Sequence, residues 1–100
     1  MPALSVGPVL RIAELAIGAL STSPALGMRL ALDTHAMFAA AHRRRADADP
    51  IPFAAYGGPW LRLLEKASAV CTRAGEGALA ADLEGWSESI RARCRSARSA

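Results

Sequence analysis

Three prolines, Pro8, Pro24 and Pro59, each stand at the head of an apolar run. A helix accepts proline there, because the first turn offers no i−4 carbonyl and the missing N–H goes unneeded. Behind each of them the large side chains recur at spacings of three and four, the period of a helix with one buried face. Strands find little support: valine occurs only at Val6, Val9 and Val70, and no segment alternates apolar with polar residues. The expected fold is therefore all-α, a single domain over residues 1–100 resembling a four-helix bundle.

The expected helices cover 8–20, 24–45, 59–74 and 78–95. The first stops in Ser21-Thr22-Ser23, where Ser23 serves as N-cap for the second. Arg43, Arg44 and Arg45 complement the negative end of the second helix, and Asp47, Asp49 and Pro50-Ile51-Pro52 stop it. Residues 46–58 then read as a connecting loop pinned by Ile51, Phe53 and Tyr56. Gly75-Glu76-Gly77 separates the last two helices, with one bent helix as the alternative. Residues 96–100 read as a frayed basic tail.

Alanine fills 23 of the 52 apolar positions, which favours helices and lets them approach closely while contributing little buried area. The fourth helix shows one apolar stripe, Leu79, Leu83, Trp86, Ile90 and Ala97, and the third another, Trp60, Leu64, Ala67, Cys71 and Ala74. The first two differ. In the first only Arg11, Glu14 and Gly18 make a stripe free of bulky apolar groups, and in the second only Arg29, Asp33, Ala36 and Ala40. So much apolar circumference points to a partner, with Leu10, Ile17, Met28, Leu32, Met37 and Phe38 as interface candidates and a homodimer as the favoured assembly.

Charge and cysteine usage narrow the classes further. Eleven arginines and Lys66 against nine acids give a formal +3, enough for solubility and compatible with an anionic partner. Two cysteines do not make a disulfide scaffold. The apolar stretch from Val9 to Leu20 is interrupted by Arg11 and Glu14 and is too short to cross a bilayer, so a cytoplasmic protein without membrane contact is expected.

No catalytic, cofactor-binding or metal set emerges. His35 and His42 lie on one helix about 10 Å apart at 1.5 Å per residue, too far to share an ion, and no ligand spacing surrounds them. Cys94 has arginine neighbours but no histidine downstream to act as its base. Asp47 with Asp49, and Asp82 with Glu84, occupy spacings at which side chains on a helix diverge. The segment from Phe53 to Trp60 has the aromatics and glycines of a ligand loop, with Gly57-Gly58 before a helix start, although a tight turn accounts for it as well.

The leading functional expectation is a non-enzymatic interaction module, such as an adaptor, inhibitor, chaperone or assembly subunit, using the apolar surface of the first two helices. A nucleic-acid-binding protein is the alternative, its phosphate contacts drawn from Arg43, Arg44, Arg45, Arg91, Arg93, Arg95 and Arg98. Both clusters also suit helix C-termini, where cations are favourable without any ligand. A third reading is a helical enzyme or small-ligand binder with a pocket near Tyr56, Trp60 and His35.

Overall fold

The helices form where the periodicity places them, with one substantial change. In a computed structural model that describes residues 6–43 and 53–99, they are α1 (Val6–Thr22), α2 (Pro24–Arg43), α3 (Phe53–Arg73) and α4 (Gly77–Ser99). No strand occurs among the described residues, and no helix is long and apolar enough to cross a membrane.

The junctions explain the boundaries. Ser23 alone separates α1 from α2: its N–H bonds the Ala19 carbonyl at 2.7 Å, and its own carbonyl receives the Gly27 N–H at 2.7 Å. So tight a reversal brings the first turn of α2 onto the backbone of α1. A Cβ on Gly27 would stand 2.4 Å from the Leu20 nitrogen, so only glycine fits. Between α3 and α4, Gly75 takes a left-handed φ of 79°. The Glu76 N–H bonds the Cys71 carbonyl at 2.9 Å and the Gly75 N–H bonds that of Thr72 at 3.2 Å, the paired closure of a Schellman C-cap. This closure makes two helices out of what could have been one bent helix.

The change concerns α3, which begins at Phe53 and carries Pro59 in its interior. The expected loop over 46–58 is thus helical from Phe53 onward, while its residues 46–52 lie outside those described. Tertiary packing overrides the proline. Phe53, Tyr56, Trp60, Leu63, Leu64, Ala67 and Cys71 follow helical spacing straight through it, and all but the half-buried Phe53 are buried. Gly57 and Gly58 therefore lie within a helix rather than ahead of one, so neither the tight turn expected there nor its alternative, an anion-receiving N-terminus, forms. The C-terminal segment differs too: α4 runs to Ser99, so the expected frayed tail is helical for most of its length.

The core is one cluster with α3 at its centre. Helix α3 packs against α1, α2 and α4, α1 packs closely against α2, and no backbone packing joins α4 to α1 or α2 among the described residues. Small residues make the α1–α2 approach possible: Ala13 and Ala16 on one side, Gly27, Ala31 and Thr34 on the other, are all buried. The molecule is consequently flat, 41 × 32 × 18 Å between backbone extremes, roughly two helix layers deep at the usual 8–10 Å spacing. Buried Thr34 and Ser87 donate to carbonyls of their own helices, Leu30 at 2.6 Å and Leu83 at 2.8 Å, and Ser68 donates to Glu84 at 3.1 Å. Among the described residues no buried polar side-chain atom lacks a partner.

Candidate functional site

Because α4 meets α2 through side chains alone, a groove opens between them. It measures about 200 Å³ and is lined by His35, Ala39, His42 and Arg43 of α2, Trp60 of α3, and Trp86, Ser89, Ile90 and Arg93 of α4. Spacing explains the wall: residues 35, 39 and 42 share one face of α2, and 86, 89, 90 and 93 one face of α4.

All five aromatic side chains and both imidazoles of the chain belong to one connected cluster behind and along this groove. Phe38 stacks on Trp60 with centroids 5.2 Å apart, and Tyr56 meets Phe53 edge-on at 5.1 Å. His35 lies flat on Trp86, 4.3 Å away with planes only 12° apart. Trp86, 36% exposed, forms the outer edge.

Hydrogen bonds fix both imidazoles. The Trp60 indole, which can only donate, gives its N–H to His35 Nδ1 at 3.0 Å. Nδ1 therefore presents its lone pair, and the proton of the neutral ring sits on Nε2. Burial pushes the His35 pKa down in the same direction. The Arg93 guanidinium likewise only donates, and its contact of 2.7 Å with His42 Nε2 leaves the His42 proton on Nδ1, which gives it to the Tyr56 hydroxyl at 2.6 Å. A directed chain thus runs from Arg93 at the surface through His42 to the fully buried Tyr56.

The arginines expected to form basic clusters point in different directions. Arg91 is held by Glu65 at 2.9 Å and by Glu88 on its own helix, whereas Arg93 turns to His42 and Arg43 lines the groove. Arg95 is exposed. Arg44, Arg45 and the Arg98 side chain lie outside the described residues.

The interface candidates divide as well. Leu10, Ile17, Met28, Leu32 and Met37 are half-buried against the core. Phe38 is 0% exposed and cannot meet a partner, because the face of α2 that carries it closes over Tyr56 and Trp60. Among the described residues the large apolar groups most in the open are Leu15, 70% exposed, and Leu26, 54% exposed, ahead of Trp86, and neither leucine is among the interface candidates. Cys71 and Cys94 are both free thiols. Cys71 packs its sulfur 3.7 Å from that of Met28, and its burial, with Glu76 nearby, pushes the thiol pKa up. No group of three or more histidine, cysteine or acidic side chains able to hold a metal occurs among the described residues.

Of the residues expected to share a pocket, Tyr56, Trp60 and His35 do come together, although Tyr56 lies behind the wall rather than in it. Sequence reasoning missed Trp86 and Ser89 as groove residues, and named Arg43 and Arg93 only as candidate phosphate contacts. The apolar periodicity puts Trp86 in the core stripe of α4, but the buried stripe is Ala80, Leu83, Ser87 and Ile90, with Cys94 half-buried, which turns Trp86 to the flank. The signal was present in the 3-4-3-4 spacing of those residues, and Ser87 concealed it. A serine that bonds its own helix's carbonyl packs like a small apolar group while reading as polar.

No protein-family model, curated protein or solved structure matches this chain.

Proposed function

We propose that this chain is a small-ligand-binding domain whose site is the groove between α2 and α4. The observation that carries the reading is the His35–Trp86 pair: a broad aromatic surface, oriented by a hydrogen bond behind it and partly open to solvent, in a concavity with polar groups on its rim. Apolar walls with a few placed polar groups are how small-molecule sites are built. Ordinary packing would have turned Trp86 inward, since an indole is among the largest apolar areas a chain can bury.

Binding suits the groove better than proton transfer does. The one lone pair of each imidazole is occupied, by the Trp60 indole in His35 and by the Arg93 guanidinium in His42, so neither ring is poised as a general base. A fragment library screened by protein-observed NMR tests the proposal. Hits should shift resonances of Ala39, Trp86 and Ser89 together and lose affinity in Trp86→Ala. Hits that map elsewhere, or a screen without any, would refute it.

A second reading, self-association into a homodimer, has its own support in the exposure of Leu15 and Leu26 on the first two helices. Sedimentation velocity at micromolar concentration should then give a dimer that Leu15→Lys dissociates. A monomer for the parent chain would dispose of this reading.

A further inference from the structure

We infer that the ligand of this groove is a small organic anion, a flat apolar body of about one ring carrying a carboxylate. The inference rests on the reading of the groove as a ligand site and adds to it the charge, size and shape of the occupant.

Charge comes first. The rim carries two guanidiniums, Arg43 and Arg93, and among the described residues no aspartate or glutamate lines the groove. Among the described residues neither arginine is paired with a carboxylate, whereas Arg91, two positions from Arg93, is paired twice. A guanidinium presents five N–H donors in a planar fork that matches a carboxylate. Arg93 directs part of its fork to His42 at 2.7 Å, which orients the group from behind and leaves further donors for a ligand.

A neutral donor adds direction. With His35 Nδ1 taken by the Trp60 indole, the Nε2–H has no partner among the described residues. Because no buried polar side-chain atom among the described residues goes unsatisfied, Nε2–H reaches open space on a residue that lines the groove. Trp60 is thus a positioning residue: it sets the tautomer that makes His35 a donor. Ser89 supplies a hydroxyl on the α4 wall.

Size and shape follow from the walls. Drug-sized ligands need roughly 300–1,000 Å³, so about 200 Å³ accommodates a smaller body. Trp86 and Ala39 offer apolar contact, with the buried Trp60 and Ile90 beneath them, and the exposed indole of Trp86 makes part of it flat. A bare inorganic anion would leave these surfaces uncovered, and a nucleic acid would need a continuous row of cations, which Arg91 and Arg93 do not form.

The test uses benzoate, benzamide as its neutral isostere, and cyclohexanecarboxylate as its non-planar counterpart, each titrated to the full-length protein by calorimetry and NMR at about millimolar concentration, the range for so small a ligand. Benzoate should bind at the groove, benzamide about tenfold more weakly, and Arg93→Gln should cost benzoate about tenfold, the worth of one charge-assisted hydrogen bond. Arg91→Gln, whose partners lie away from the groove, should leave affinity unchanged, and Trp60→Phe, which removes the hydrogen bond to His35 Nδ1, should shift the His35 ring nitrogens away from the Nε2–H tautomer by NMR and weaken benzoate in a variant that remains folded. Cyclohexanecarboxylate should bind less well than benzoate. If benzamide equals benzoate and both are lost in Trp86→Ala, the groove is a ligand site but its preference for anions is wrong. If none of the three binds, or binding is indifferent to both Trp86→Ala and Arg93→Gln, the ligand site fails with it.

Discussion

His35 shows how one side chain can be held in a single protonation state by its neighbours. Protonating it requires a proton on Nδ1, which would confront the Trp60 N–H and end that hydrogen bond. Burial opposes the charge as well, so the folded pKa lies below the ordinary 6.5. The unfolded chain then binds this proton more readily than the folded one, and stability falls as pH drops through 6.5 toward the lowered value. The contribution of His35 is fully present above 6.5 and lost as pH falls through the folded pKa. Thermal melts between pH 7.5 and 5 should show a declining midpoint, and His35→Gln should flatten part of that decline. An unchanged slope in the variant would mean that other groups cause it. Gly27 illustrates a steric constraint at the same scale. Its missing Cβ is replaced by Leu20 backbone, which cannot rotate away as a side chain could. Gly27→Ala should destabilise by about 1–3 kcal/mol, the usual cost of overpacking, measured by urea denaturation.

Among the elements, α3 carries the main lesson about what the residues disclose in advance. The starts of α1 and α2 and the break at Gly75 were legible because each depends on local chemistry: a proline or serine at a first turn, a glycine at a left-handed φ. The start of α3 was not, because Pro59 is itself a local signal and it pointed to a helix start. What overrides it is the burial of Tyr56, with Phe53 half-buried beside it, against α2, a contact that exists only after folding. Tyr56, Trp60 and His35 could be named as companions from their aromatic character, but Trp86 and Arg93 owe their places to the rotation of α4, set by which small residues meet α3. The same reasoning yields a prediction. Pro59 removes one backbone hydrogen bond from a helix that exists on both sides of it. Pro59→Ala should therefore stabilise the protein, by up to about 3 kcal/mol, with the midpoint of chemical unfolding as the measure. A loss of stability would show that the ring's own packing outweighs the missing N–H.

At the scale of the whole molecule, the arrangement of contacts is unequal in a way that should govern how it opens. Helix α3 touches every other helix, while among the described residues α4 packs its backbone on α3 alone and reaches α2 through side chains, the His35–Trp86 stack and the Arg93–His42 hydrogen bond among them. Local opening follows the elements with fewest shared contacts, so the seam between α2 and α4 should part before α3 loses its partners. Hydrogen exchange should find the slowest amides between Leu63 and Cys71, in the buried middle of α3, and faster ones toward the C-terminal half of α4. Trp86→Ala removes the stack that links the two helices across the seam. It should accelerate exchange around Ile90 and Cys94 while leaving α1 and the first turns of α2 unaffected. Uniform acceleration across all four helices would instead mean that the molecule opens as one cooperative unit and that the groove has no independent motion. A ligand that bridges Arg93 and His35 would act in the opposite sense, slowing exchange on both sides of the seam, because anything bound only to the closed arrangement stabilises it.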